Sequence, residues 1–337
     1  MTTASIRDVA AAAGVSVGTV SNVLNQPQIV AAKTVERVHT AITELNFVRN
    51  DAARQLRAGR SRTVGLIVLD VGNPFFADVA RGAQDRASQD GLTVILGDSN
   101  HTATLESTYL DLFEEQRVQG VLISPIGDST ARLQQLRDRG IAAVLVDRLS
   151  PDSAFSSVSV DDIGGGQLAV EHLLSLGRRR VAFVGGPVSV RQVADRLQGA
   201  NQAVDAASAG TLRHFPTSAL SVLAGREAGE QILALPVAER PDGVFCANDL
   251  IALGVLQAFT SAGTIAVPDD IALVGYDDID FAAAATVPLS SISQPSSLLG
   301  ATAIALLIAE IDDPGTPREQ VVFTPELRIR ASTTLEE

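Results

Sequence analysis

With 337 residues, 46% of them hydrophobic and 19% charged, the chain is long enough for two or three domains with large buried cores, and global disorder is excluded. One cysteine, Cys246, cannot form an internal disulfide, the start MTTASIRDVA lacks a signal-peptide pattern, and no apolar run approaches the roughly 20 residues of a membrane span. A cytoplasmic protein without membrane contact is expected. The formal net charge of −13 argues at first against a nucleic-acid partner, but residues 1–62 carry eight Lys and Arg against four Asp and Glu, a net of +4, which leaves −17 on the rest. A basic head on an acidic body can hold DNA at one end only.

Three short helices are predicted in the head. Ser5 followed by Asp8 fits a capping box, with Ile6, Val9, Ala10 and Ala13 on one face and Gly14 as the stop. Ser16 can cap a second helix from Val17, in which Val20, Val23 and Leu24 face inward. The turn AGVS is short enough to set the two helices steeply, as in a helix-turn-helix. Val35, Val38, Ile42 and Leu45 are spaced to close a small core from a third helix. A three-helix bundle that binds nothing would read much the same. Against it, the second helix offers small or polar groups outward: Val17, Gly18, Thr19, Ser21 and Asn22.

The run IRDVAAAAGVSVGTVSNVLNQ…VAAKTVERVHTAITELNFVRNDAARQLRAGRS resembles the head of the lactose-repressor (LacI/GalR) family almost without a gap over residues 5–61. The resemblance implies that Val17, Gly18 and Asn22 face base edges while Ser16, Thr19 and Ser21 hold phosphates. Ser5, Asn25, Asn50 and Ala53 complete the DNA-contacting set. It implies too that the segment from Asn50 to Ala58 becomes a hinge helix on DNA, where Leu56 wedges into the minor groove. Three departures stand out. Asn22 replaces a usual arginine and should prefer adenine where arginine reads guanine. Ala31 stands where Ser or Thr normally caps the third helix, a loss of about 0.5–2 kcal/mol. Arg49 replaces a proline before the hinge.

From Thr63 onward, short apolar runs alternate with helix-length segments: 63–69, 92–97, 120–124 and 142–147, then 179–185, 243–247 and 271–277. Continuous apolar strands separated by helices indicate parallel sheets covered on both faces. The two sets read as two doubly wound α/β lobes with a crevice at the strand carboxyl ends. This resembles the periplasmic-binding-protein fold of the same family, which implies crossovers near 160–163, 289–293 and 319–323. The expected organisation is a helix-turn-helix domain at 1–48, a hinge at 49–61 and a sensor at 62–337. Its N-lobe would span about 62–160 and 292–320, its C-lobe about 161–291 and 321–337.

A hydroxyl-rich ligand needs carboxylates and amides for its hydroxyls and aromatic faces for its CH surfaces. Asn73, Phe75, Phe76, Asp147, Arg148, Arg196, Asn248, Asp277 and Gln294 all fall just past strands or at crossovers. The Phe pair could instead be core, and Asp147–Arg148 a surface pair. Asp249 and Asp278 read better as helix N-terminal acids. The order NPFF, DR, R-x-x-G, ND, D, Q resembles ribose-binding proteins and ribose-type repressors, which implies a pentose clamped between rings and a carboxylate–guanidinium network. A second stacking aromatic is expected near 215–222, with Phe215 the candidate and Leu220 a substitute. A monosaccharide leads as the effector, with a nucleoside or purine next.

An enzyme is not expected. GGGQLA (164–169) resembles a dinucleotide motif, but SSVSVDD before it is a poor buried strand, and a glycine-permitted helix start is the better reading. His39, His101, His172 and His214 are scattered, make no metal spacing with Cys246 and read as surface or structural; no cofactor is implied. A solute-binding protein without a regulatory role would carry an export signal and lack the basic head. The expected partners are double-stranded operator DNA, a small sugar or nucleoside effector, and a second copy of the chain. A tetramer is not expected, since no leucine heptads follow the last strand.

Overall fold

The computed structural model describes residues 4–47, 61–150, 153–207 and 210–334, in two compact units, Met1–Ser61 and Arg62–Glu337. Asn50, Ala53 and Leu56 lie outside the described residues.

In the first unit, α1 (Ile6–Ala13) begins at Ser5, whose hydroxyl accepts from the Asp8 amide while the Asp8 carboxylate accepts from the Ser5 amide at 2.8 Å. It ends at Gly14, at φ 60°, the left-handed region glycine adopts at low cost. Helix α2 (Val17–Asn25) is capped by Ser16, whose Oγ accepts from the Thr19 amide at 3.0 Å. Helix α3 (Ala32–Glu44) starts at Ala31 with no side-chain cap. Val9, Ala10, Ala13, Val20, Val23, Val38 and Ala41 form the buried core, with Leu24, Val35, Ile42 and Leu45 packed at its margin. So small a unit buries little apolar surface, and each cap matters at about 1 kcal/mol. One of these was not legible as a cap. Arg37, which counts toward the basic charge, turns its guanidinium onto the carbonyls of Ala13 and Gly14, the latter at 3.1 Å, and so closes the end of α1.

The second unit is two lobes, each built on a six-stranded sheet. The first sheet holds β1 (Thr63–Val68), β2 (Thr93–Asp98), β3 (Gly120–Ile123), β4 (Ala142–Val146), β5 (Ser156–Val160) and β11 (Gln320–Phe323), in the order β11-β5-β4-β3-β1-β2. The second holds β6 (Arg180–Val184), β7 (Thr211–Phe215), β8 (Gly243–Cys246), β9 (Ala272–Asp277), β10 (Ser290–Ser293) and β12 (Glu326–Arg328), in the order β12-β10-β9-β8-β6-β7. All neighbours pair in parallel except β10 and β12. Parallel strands need crossover helices on both faces, which explains the continuous burial of β3, β8 and β9. Helices α4 (Pro74–Gln89), α5 (Ala103–Glu115) and α6 (Thr130–Asp138) link strands of the first sheet. Helix α7 (Asp162–Ser175) leads into the second, whose strands are linked by α8 (Arg191–Ala207), α9 (Val222–Leu233) and α10 (Asp249–Ala262).

The chain passes between the lobes three times: at Asp161, at 294–295 and at 324–325. The last two fall a few residues later than 289–293 and 319–323. Strand β10 still pairs with β9 in the second sheet, and β11 pairs with β5 in the first, so the first lobe extends to Phe323.

Strand β5 departs from the sequence reading. SSVSV looks too polar for a core strand, yet every residue of β5 is buried. Ser156 donates to the buried Glu310 carboxylate at 2.6 Å and accepts from the Glu319 amide at 3.1 Å, while Ser157 accepts from the Ser150 amide at 3.3 Å. Buried hydroxyls are tolerated when partners replace water. The glycines that follow permit close helix packing. In α7, a Cβ at Gly166 would sit 2.2 Å from the Arg196 carbonyl oxygen of the neighbouring helix. No described helix is long and apolar enough to cross a membrane.

Candidate functional site

The carboxyl ends of both sheets face a cleft lined by residues of both lobes. Each lobe supplies its walls through residues that the local fold fixes. Asn73 caps α4, with its Oδ1 accepting from the Phe75 amide at 3.1 Å, which sets Phe75 and Phe76 on the first turn. Their rings meet edge to face, 5.0 Å apart, as one apolar wall. Asp147 follows β4 at φ 58° and Asp277 ends β9 at φ 101°. These left-handed backbones are unusual outside glycine, and they turn both carboxylates toward the cleft. Arg196 and Gln192 lie one turn apart on α8 and therefore share a face. Asn248 caps α10 by accepting from the Ile251 amide at 3.0 Å.

Two direct hydrogen-bonded pairs join the lobes across the cleft. Asn73 Nδ2 donates to Asp277 Oδ2 at 2.8 Å, and Gln192 Nε2 donates both to the Asp147 main-chain oxygen at 2.7 Å and to its Oδ2 at 2.8 Å. Gln294, in the second crossing, donates to Asp277 Oδ1 at 2.8 Å from beside the cleft. Arg196 donates through Nε to Asp162 at 2.7 Å and through Nη1 to the Ala247 carbonyl at 2.7 Å, and its guanidinium lies 3.6 Å over the Tyr276 ring. That stacking adds to the ion pair.

Burial dominates the electrostatics. It pushes the Asp147 carboxyl well above the usual carboxylate range; the Asp162 charge adds to this and Arg196 opposes it. Burial also raises Asp162 against the pull of Arg196. Asp277 is pushed up to about 6 by burial, although Arg196 and the hydrogen bonds from Asn73 and Gln294 pull the other way. For Arg196 burial disfavours the charge, but the surrounding acids together, Asp162 foremost with Tyr276, Asp277 and Asp147, outweigh it and hold the guanidinium above its ordinary value. These are directions expected of ionisable groups brought together away from water.

Of the nine residues expected to hold a ligand, the cleft brings together Asn73, Phe75, Phe76, Asp147, Arg196, Asn248 and Asp277. Gln294 supports Asp277 from behind. Arg148 is the departure: it donates to the Pro125 carbonyl at 3.2 Å and lines a separate depression with Ser129 and Phe155. The left-handed turn at Asp147 sends consecutive side chains different ways. Phe215 also stays out of the cleft, buried beneath the Arg213 guanidinium at 4.8 Å, and Leu220 takes the wall position. Gln192 was missed, although its i, i+4 spacing to Arg196 signals it. His101 also lines the cleft, whereas His172 and His214 make structural hydrogen bonds to Thr333 and the Gly185 carbonyl at 2.9 and 2.8 Å. Asp249, fully buried, accepts from the Ile279 amide and Ser291 at 2.9 and 2.7 Å; it ties helix to sheet. Among the described residues no group of His, Cys, Asp and Glu could hold a metal ion.

On the head, α2 leaves Gly18, Asn22 and Asn25 exposed, as are Ser5 and Ser16, while Val17, Thr19 and Ser21 are half-buried. Asn25 Nδ2 bonds back to the Ser21 carbonyl at 2.8 Å, and Asn22 beside this pair is exposed to solvent.

Residues 5–50 match the family described as bacterial regulatory proteins, lacI family, and residues 170–333 match a periplasmic binding protein-like domain. The HTH-type transcriptional repressor PurR of Photobacterium profundum is 32% identical over 331 residues, 98% of each chain. The ribose operon repressor of Escherichia coli (strain K12) is 32% identical over 332 residues, 98% of this chain and 99% of the relative. Among solved structures, the lac repressor dimer bound to operator and the anti-inducer ONPF superposes with a TM-score of 0.84 at 28% identity, covering 99% of this chain and 100% of that one. A LacI family transcriptional regulator from Enterococcus faecium with bound ribose superposes with a TM-score of 0.73 at 29% identity, covering 82% of this chain and 100% of that one. A capped helix-turn-helix head, a two-lobed sensor with a polar cleft and relatedness over nearly the whole chain lead to one conclusion: this chain belongs to the LacI family of transcriptional repressors.

Proposed function

We propose that two copies of this chain hold a palindromic operator and that a monosaccharide such as a pentose, bound in the sensor cleft, sets how tightly they hold it. The observation that carries the reading is the pair of interlobe contacts, Asn73–Asp277 and Gln192–Asp147. A ligand that exchanges with these groups binds one lobe arrangement better than another, which is what effector control requires. Asn73, Asp147, Arg196, Asn248 and Asp277 offer amides and carboxylates to hydroxyls, and the Phe75–Phe76 wall suits a CH face. The ribose bound in the Enterococcus faecium regulator and the name of the Escherichia coli relative support a pentose.

On DNA, Val17, Gly18 and Asn22 face bases, and Ser5, Ser16, Thr19, Ser21 and Asn25 the backbone. Asn50, Ala53 and Leu56 act from the hinge. The protein works in the cytoplasm. A nucleoside is the second reading, favoured by the aromatic wall, which can stack a base. A thermal-shift screen of full-length protein against pentoses, hexoses, nucleosides and purines tests the effector class. Ligand at 100 times its dissociation constant should add about 2.7 kcal/mol. A screen in which no sugar or nucleoside raises the melting temperature overturns the assignment.

A further inference from the structure

The cleft holds an excess of acid. Asp147 and Asp277, 4% and 7% exposed, line it, and its guanidinium, that of Arg196, itself 5% exposed, is already paired with Asp162 outside the lining. Its Nε and Nη1 already serve Asp162 and the Ala247 carbonyl. Asp70 adds a further acid to the lining, and His101 is the other basic side chain there among the described residues. Arg148, the cation that the sequence places beside Asp147, points instead to the Pro125 carbonyl.

We propose that the cleft selects uncharged ligands and refuses their anionic derivatives, phosphate esters and sugar acids, because two buried carboxylates line it and its one guanidinium is already paired with a third. The proposal rests on the cleft being the effector site and narrows what that effector is. Two features carry it. The first is Coulombic: an anion entering among buried carboxylates, with water displaced, meets repulsion that the engaged guanidinium does not offset. The second is the direction of hydrogen bonding. Asp147 Oδ2 accepts from Gln192, but Asp147 Oδ1 is buried and accepts from nothing in the protein. A ligand hydroxyl can donate there. A phosphate dianion has only acceptors and leaves Oδ1 unsatisfied.

The protein therefore senses the free sugar or nucleoside before a kinase-type reaction adds phosphate. Paired calorimetric titrations of full-length protein at pH 8 test this, with D-ribose against ribose 5-phosphate and adenosine against its 5′-monophosphate. The neutral member of the responding pair should bind, with the phosphate ester weaker by on the order of a hundredfold or more. Asp147→Asn should shrink that ratio by weakening the neutral ligand and relieving the anion. A phosphate ester binding as tightly as its parent overturns the proposal while leaving effector control by the cleft intact, as does an unchanged ratio in the variant. Silence from both members of both pairs overturns the pentose or nucleoside reading of the site, and this proposal falls with it.

Discussion

Asp277→Asn isolates the energetic signature of the cleft. The wild-type carboxylate accepts from Asn73 and Gln294 at 2.8 Å each, and Arg196 Nη1 lies 3.8 Å from its Oδ1, yet burial still raises its pKa from 3.8 to about 6. A group that binds its proton more tightly when folded stabilises the fold below its unfolded pKa and loses that contribution as pH rises through the folded value. The shift of about two units corresponds to about 3 kcal/mol, lost between about pH 4 and pH 7. Asparagine does not titrate, so the stability difference between wild type and variant should fall by about that amount over this range. The Asp277 charge also helps to raise Asp147 and Asp249, so its removal lowers their carboxyls in the variant and moves the difference in the same direction. Urea unfolding of full-length protein followed by far-UV circular dichroism suits a chain without tryptophan. Parallel stability–pH profiles for the two proteins would refute the claim that Asp277 is held against its own ionisation.

Other outcomes follow from single contacts. Ala31→Ser supplies the missing cap of α3 and should stabilise the head by about 1 kcal/mol, seen as a raised melting temperature of the head transition. Arg148→Ala should leave effector affinity unchanged in calorimetry, because its guanidinium engages Pro125 outside the cleft, whereas Arg196→Ala should abolish binding. Asn22→Arg should move the operator preference from adenine toward guanine at one base pair per half-site, by about 1–3 kcal/mol in a competition assay on variant operators.

Much of the fold can be read from the chain because its local signals agree. Ser5 with Asp8, Gly14 and Ser16 bracket α1 and α2 by capping chemistry alone, and runs such as GLIVL and IALVG are strands buried on both faces in any α/β context. What escaped depends on partners distant in sequence. The serines of β5 read as surface until Glu310 and Glu319, more than 150 residues away, are seen to satisfy Ser156. Asp147 and Arg148 read as a pair until one left-handed residue separates their directions. Phe215 reads as a ligand ring until the register of β7 on β6 turns it into the core. In the cleft, spacing past strand ends located the acids and amides, but not Gln192, which follows no strand end and is signalled in the chain by its spacing to Arg196 alone until the opposite lobe brings Asp147 to it.

The central claim is that a metabolite gripped by Asp147, Arg196 and Asp277 changes how firmly the head holds DNA. Fluorescence anisotropy of a labelled palindromic duplex, selected for tight binding and titrated with full-length protein at fixed salt, measures this directly. Saturating the cleft ligand found by thermal shift should move operator affinity by about tenfold or more in wild type and leave it unmoved in Asp277→Ala. Superimposable wild-type curves with and without that ligand would contradict the account.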